Sequence, residues 1–303
     1  MTIIAYLTNK NEKRTEKDMK KPILNISYSK LFDLPIPWNT AELYETACEL
    51  GFDAIKGDVT PSSDGKLIMC HDSYFRLNEN GRVLEPGNKG AHMKLIKNMT
   101  SKECTALEYA NEEAKEYLGY YAKVAELEDL IRICKKHGKI AYITVRDKQI
   151  EMCVYEIYRL LQKYNMVDHC IINSFSTDTL NIMKQKVPEI KLSLVFGPNR
   201  MLTKRHIDRA SALGNCAVCL FWTKDVLLGK EMLRKSQNAI IYAKEKCVEL
   251  HFAHGHDKES YNFGIECGFS GFQCIKSDAY HNFNRECCTR FFNMYCFRLN
   301  RVS

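Results

Sequence analysis

The chain has 303 residues, 45% of them hydrophobic and 27% charged, with a formal net charge of +7. That balance excludes a disordered, collagenous or coiled-coil chain and leaves room for one barrel-sized domain or two ordinary ones. The longest apolar runs, Ala217 to Trp222 and Ala239 to Ala243, fall far short of the ~18 residues that cross a bilayer, so no membrane span is expected.

Part of the positive excess is local. Lys10, Lys13, Arg14, Lys17, Lys20 and Lys21 are interleaved with acids and lack the aromatic residues of a single-strand-binding surface. No nucleic-acid partner is expected, and residues 1–21 read as a basic tail outside a single domain of residues 22–303. The apolar opening Thr2 to Leu7 is too short for a secretory signal, which points to a cytoplasmic protein. Fourteen cysteines spread through apolar stretches are then reduced core thiols. Cys216 and Cys219 have metal-pair spacing, but three positions apart on a strand they face opposite sides.

Strands and helices alternate from Ile23 onward. The first strand, Ile23 to Tyr28, is followed by a helix from Asn39 to Leu50, with Asn39 as N-cap, Glu42 closing a capping box and Gly51 as the stop. Further strands are expected at Ala54 to Thr60, Ile140 to Arg146, Cys170 to Ser174 and Lys191 to Phe196. Three more follow at Cys216 to Phe221, Val248 to Phe252 and Gly271 to Ile275. Helical periodicity fills the gaps at Glu126 to His137, Gln149 to Tyr164, Thr177 to Val187, Lys204 to Leu213, Lys230 to Lys246 and Lys258 to Cys267. Eight strands with intervening helices predict an α/β fold, a TIM (β/α)8 barrel.

One departure from the repeat carries the chemistry. After Ala54 to Thr60 come Pro61-Ser62-Ser63-Asp64-Gly65 and a second apolar run, Lys66 to Cys70. Asp64-Gly65 signals a two-residue hairpin turn. In that register Asp58 lies opposite His71, roughly 5 Å away at the backbone, with Lys56 on the same face and both at the carboxyl end of a barrel strand.

The residues Asn39-Thr40, Ala47, Gly51-Phe52-Asp53, Asp58-Val59, Asp64-Gly65 and His71-Asp72 resemble the signature of the glycerophosphodiester phosphodiesterase family. Looser similarity continues through Leu127-Glu128, Asn173-Ser174-Phe175 and Gly268 to Asp278, so the resemblance covers about residues 23–278. It implies a barrel enzyme that holds a divalent cation, Mg or Ca, on carboxylates and uses two histidines to release an alcohol from glycerol 3-phosphate. A metal neutralises charge on the phosphodiester while one group activates the attack and another protonates the leaving oxygen.

Most of those parts are replaced. The family's first histidine falls on Ser27, with Tyr28 and Ser29 beside it, and the glutamate of its Glu-Asn-Thr falls on Trp38. The glutamate two residues before Asp58 falls on Lys56, the next strand's glutamate on Thr144, and the following lysine on Arg146. One carboxylate beside an ammonium is a poor site for a hard divalent cation. A metal-free pocket in which Lys56 and Arg146 bind the substrate's phosphate is therefore expected, with Asp58 as the one remaining metal-type ligand.

The run Val248 to Asp257 adds His251, His254 and His256 at the seventh strand. With His71 as the retained catalytic histidine, His251 pointing into the mouth and His254 on the loop are the candidates to stand in for the lost acid. Two readings stand: a noncatalytic family member that binds a small phosphoester at the mouth, and a rewired phosphoric diester hydrolase using His71 and Asp58. The long connection Ser73 to Lys123, with Arg76, Arg82, Lys89, His92, Lys94 and Lys97, is expected to cap the mouth with a basic face.

Overall fold

A computed structural model of the chain describes residues 23–146, 150–197, 201–221, 231, 234–255 and 258–277. Among the described residues eleven strands occur: β1 Leu24–Ser27, β2 Ala54–Pro61, β3 Leu67–Met69, β4 Tyr74–Leu77, β5 His92–Leu95 and β6 Ile140–Val145, then β7 Cys170–Ser174, β8 Lys191–Phe196, β9 Cys216–Phe221, β10 Leu250–Gly255 and β11 Gly271–Cys274. All but β3, β4 and β5 pair in parallel in the order β1-β11-β10-β9-β8-β7-β6-β2, and a β1–β2 pairing closes the ring. The closed eight-stranded barrel is the architecture that the alternating pattern predicts, with helices such as Leu127–His137 and Thr177–Lys186 packed outside it.

Strand alternation sorts the side chains. Ile26, Ala54, Tyr142 and Ile171 meet inside the barrel, as do Val195, Cys219 and Ala253. The opposite faces, including Ile55, Val59, Ile143, Leu192 and Val218, pack beneath the helices. Cys216 belongs to that outer layer and Cys219 to the interior, as expected of positions three apart. Gly57 sits where an added Cβ would lie 2.2 Å from Met69 Cε and 2.9 Å from Tyr44 Oη, so only glycine lets the first helix and the hairpin close on β2 between Lys56 and Asp58.

Local chemistry corrects three expectations. The helix Ala41–Glu49 is capped by Thr40, whose Oγ1 accepts from Leu43 N–H at 3.3 Å. Asn39 is not the cap: it has φ 54 and uses its side chain elsewhere. The hairpin turn is a three-residue loop, Ser63-Asp64-Gly65, closed by Ser62 N–H donating to the Lys66 carbonyl, with Gly65 at φ 79. Gly65 thus ends a bulged turn instead of centring a two-residue one. The register moves by one, Val59 faces Met69, and Asp58 aligns with Cys70 instead of His71. Finally, β10 starts two residues later than expected, because Val248 donates its N–H to Ala243 in the turn that ends the preceding helix.

The connection after β3 builds a second small core of Ile68, Phe75, Leu77, Val83, Ile96 and Tyr109 with their neighbours. Its ribbon pairs β4 with β5. Asp64 latches it to the hairpin by accepting from Ser101 N–H and Oγ at 2.9 and 3.0 Å. Among the described residues no helix is long and apolar enough to cross a membrane.

Candidate functional site

The inward positions of β2, read upward, are Ala54, Lys56, Asp58 and Thr60. Lys56 and Asp58 are therefore two residues apart on one face, and both are buried. Lys56 Nζ donates to Asp58 Oδ1 at 2.8 Å and lies 3.4 Å from Ser29 Oγ and 4.4 Å from the centroid of the Tyr28 ring. Burial favours a neutral carboxyl at Asp58, but Lys56, Arg146 and His71 outweigh it and bring the pKa down to about 2. Burial also pushes the Lys56 ammonium below the usual lysine range, against the pull of Asp58.

The first strand delivers Ser29, not Ser27, to this cluster. Ile26 and Tyr28 share the inward face, so Ser27 turns toward the outer layer, where its Oγ is buried without a partner among the described residues.

Asn39 holds the strand from behind. Its Oδ1 accepts from Asp58 N–H at 3.0 Å and from Tyr44 Oη at 3.2 Å. Asn39 Nδ2 and Asp58 Oδ2 are buried and have no partner among the described residues. One is a donor and the other an acceptor.

His71 reaches the mouth from the end of the hairpin although it is not opposite Asp58. Arg146, which follows β6, donates from Nη1 to His71 Nε2 and to the His71 carbonyl, the latter at 3.1 Å. The other ring nitrogen, Nδ1, is 2.8 Å from Asp72 Oδ1. An Nε2 that accepts from a guanidinium carries no proton, so Nδ1 is the protonated nitrogen and donates to Asp72. Trp38 packs edge-on against His71 at 5.4 Å between centroids, and against Tyr28 and Phe32 at 5.9 and 5.6 Å. A cavity of about 20 Å³ lies between Trp38, Asn39, His71, Asp72 and Arg76.

His251 lies elsewhere. At the second position of β10 it pairs with Gly271 and Cys219, and its ring is 1% exposed inside the barrel. Nδ1 is 3.4 Å from Tyr142 Oη and Nε2 is 3.6 Å from Glu249 Oε2, with Lys191 2.6 Å beyond on that carboxylate. Glu249 precedes β10 and Lys191 opens β8, so this chain of groups runs toward the amino-terminal end of the barrel. Burial lowers the His251 pKa, keeping the ring neutral against the pull of Glu249. The structure therefore brings together Lys56, Asp58, His71 and Arg146 and sets His251 apart from them. The backbone of His254 falls within β10, while its side chain and all of His256 lie outside the described residues.

Thr144, in place of an expected glutamate, accepts from Asn173 Nδ2 at 3.0 Å, and Tyr142 Oη donates to Ser193 Oγ at 2.8 Å. Neutral hydrogen bonds thus fill the interior beside Lys56 and Asp58. Sequence reasoning assigned no part in the site to Ser29, Asn39 or Asp72, although Asn39 and Asp72 stand inside the quoted signature. No group of three or more His, Cys, Asp or Glu side chains that could hold a metal occurs among the described residues. Asp58 is already paired with an ammonium and Asp72, the other carboxylate described at the mouth, is bonded to His71, so the donor set does not fit a divalent cation.

The model of the glycerophosphoryl diester phosphodiesterase family matches residues 33–221, more than half of the chain. The chain belongs to this family. A curated relative, the glycerophosphodiester phosphodiesterase of Caldanaerobacter subterraneus subsp. tengcongensis, is 26% identical over 161 residues, covering 53% of this chain and 62% of that protein. The glycerophosphodiester phosphodiesterase of Bacillus subtilis is 27% identical over 163 residues, 51% of this chain and 53% of the relative. The chain thus aligns with only about half to two thirds of the length of these two relatives. Among solved structures, the glycerophosphodiester phosphodiesterase of Agrobacterium tumefaciens superposes with a TM-score of 0.65 at 16% identity, covering 85% of this chain and 98% of that one. An Oleispira antarctica phosphodiesterase in complex with the product sn-glycerol-3-phosphate superposes with a TM-score of 0.65 at 14% identity, over 88% and 97%. At those identities the structures establish the barrel alone.

Proposed function

We propose that this family member is noncatalytic and binds an anionic phosphoester at the barrel mouth without a divalent metal. The supporting observation is the buried contact of 2.8 Å between Lys56 Nζ and Asp58 Oδ1, which spends the remaining carboxylate on an internal cation. Lys56 supplies the fixed positive charge from below, and Arg146 offers a planar guanidinium from above. A phosphate oxygen arriving at the mouth takes the place of His71 Nε2 as an acceptor for Arg146.

A second reading, an active phosphoric diester hydrolase, draws on the placement of His71. Its unprotonated Nε2 faces the mouth and its Nδ1 is oriented by Asp72, the arrangement of a general base that takes a proton from attacking water. The two readings separate in one assay. Purified protein and His71→Ala are given glycerophosphocholine and bis(4-nitrophenyl) phosphate, each with calcium, magnesium, manganese or a chelator. The noncatalytic reading predicts no turnover above the variant under any condition, while inorganic phosphate still binds with chelator present. Metal-dependent turnover that disappears in His71→Ala overturns it in favour of the hydrolase.

A further inference from the structure

The cationic cluster at the mouth is flanked on two sides by aromatic surface. On one side, His71, Trp38 and Phe32 form a run of edge-to-face rings with centroids 5.4 and 5.6 Å apart, ending at Phe32, which is 56% exposed. On the other side, the Arg146 guanidinium lies 5.8 Å from the centroid of Phe175, which stacks on Phe221 at 5.7 Å and 27° and is 44% exposed. Exposed rings of this size normally bury their faces. Here each series touches a member of the anion cluster, so one ligand can engage charge and rings together.

Resting on the phosphoester reading above, we propose that the ligand is a phosphoester whose alcohol part carries a flat aromatic group, of the nucleoside-monophosphate class, and not a small polyol phosphate. The phosphate sits on Arg146 and Lys56, taking the place of His71 Nε2, and the base stacks on the ring face presented by Phe175 or by Trp38 and Phe32. Aromatic side chains accept any base on its π face. A flat partner is favoured over an alkyl chain because the flanking surface is made of rings whose mutual geometry is edge-to-face or stacked.

The test is isothermal titration calorimetry of the full chain with inorganic phosphate, glycerol 3-phosphate, phenyl phosphate, uridine 5′-monophosphate and a short-chain lysophosphatidate, repeated on Phe175→Ala, Phe32→Ala and Arg146→Met. The expected result is that uridine monophosphate and phenyl phosphate bind about tenfold or more tighter than glycerol 3-phosphate, the order expected for one stacked ring. At least one Phe→Ala variant loses that advantage while its affinity for inorganic phosphate stays unchanged, and Arg146→Met weakens every anion. Equal affinity for glycerol 3-phosphate and the aromatic esters overturns the proposal. So does a preference confined to lysophosphatidate, or an aromatic preference that both Phe→Ala variants keep. Failure of all five, inorganic phosphate included, instead removes the anion-binding reading on which the proposal rests.

Discussion

Lys56→Met isolates the central interaction. The substitution keeps much of the side-chain volume and deletes the ammonium that lies 2.8 Å from Asp58, in a pair whose side chains are 4% and 1% exposed. At an effective dielectric of about 20, two unit charges at that separation attract by about 6 kcal/mol. Desolvation of both groups offsets much of this, so the pair itself contributes little net stability. Removing one partner is different, because the other stays buried and uncompensated, a loss of about 3–5 kcal/mol. Arg146 also helps to hold the Asp58 pKa down, which places the expected loss at the lower end, about 3 kcal/mol. For a domain of this size that corresponds to a Tm lower by about 5 °C. Urea unfolding followed by far-ultraviolet circular dichroism at pH 7 measures it directly. The double variant Lys56→Met/Asp58→Asn removes both charges and is expected to recover at least half of the loss, giving a coupling energy of about 1.5 kcal/mol or more. A Lys56→Met loss below about 1 kcal/mol, or a double variant equal to the sum of the singles, would refute the assignment of a coupled buried pair.

Three further outcomes follow from the same geometry. The Asp58 pKa is held down at about 2, below its unfolded value near 3.9. It therefore contributes about 2–3 kcal/mol that is fully present above about pH 4 and is lost as pH falls through about 2; acid titration of wild type against Asp58→Asn, with unfolding free energies at each pH, should show that difference. Asn39→Ala removes the acceptor for Asp58 N–H and Tyr44 Oη and puts a Cβ residue with no local hydrogen-bonding side chain at φ 54. It should cost about 2–4 kcal/mol in equilibrium unfolding and weaken phosphate binding in calorimetry. Tyr142→Phe deletes the hydroxyl bonded to Ser193 and near His251, with an expected loss of about 1–3 kcal/mol and no change in affinity for inorganic phosphate, because the group lies below the mouth.

The barrel itself was legible in the amino-acid sequence, because period-2 and period-3.6 hydrophobic patterns report local conformation directly, and strands such as Cys170–Ser174, Lys191–Phe196 and Cys216–Phe221 fall where the pattern puts them. The shared face of Lys56 and Asp58 was equally plain, since strand periodicity alone puts both side chains on it. Tertiary structure decided what depends on where other elements arrive. A single bulge at Gly65 shifted the hairpin register and moved His71 off Asp58, yet the chain still brought its ring to the mouth through Arg146. Asn39 gave up the helix cap to Thr40 because the amide is drawn to the β2 backbone and Tyr44, a contact 19 residues away that no local pattern encodes. His251 looked like a mouth residue in the sequence, but its start-of-strand position committed the ring to Tyr142 and Glu249 inside the barrel. Local pattern fixes which face a side chain takes, whereas its level in the barrel and its partners are set by the pairing and packing of residues distant in the chain.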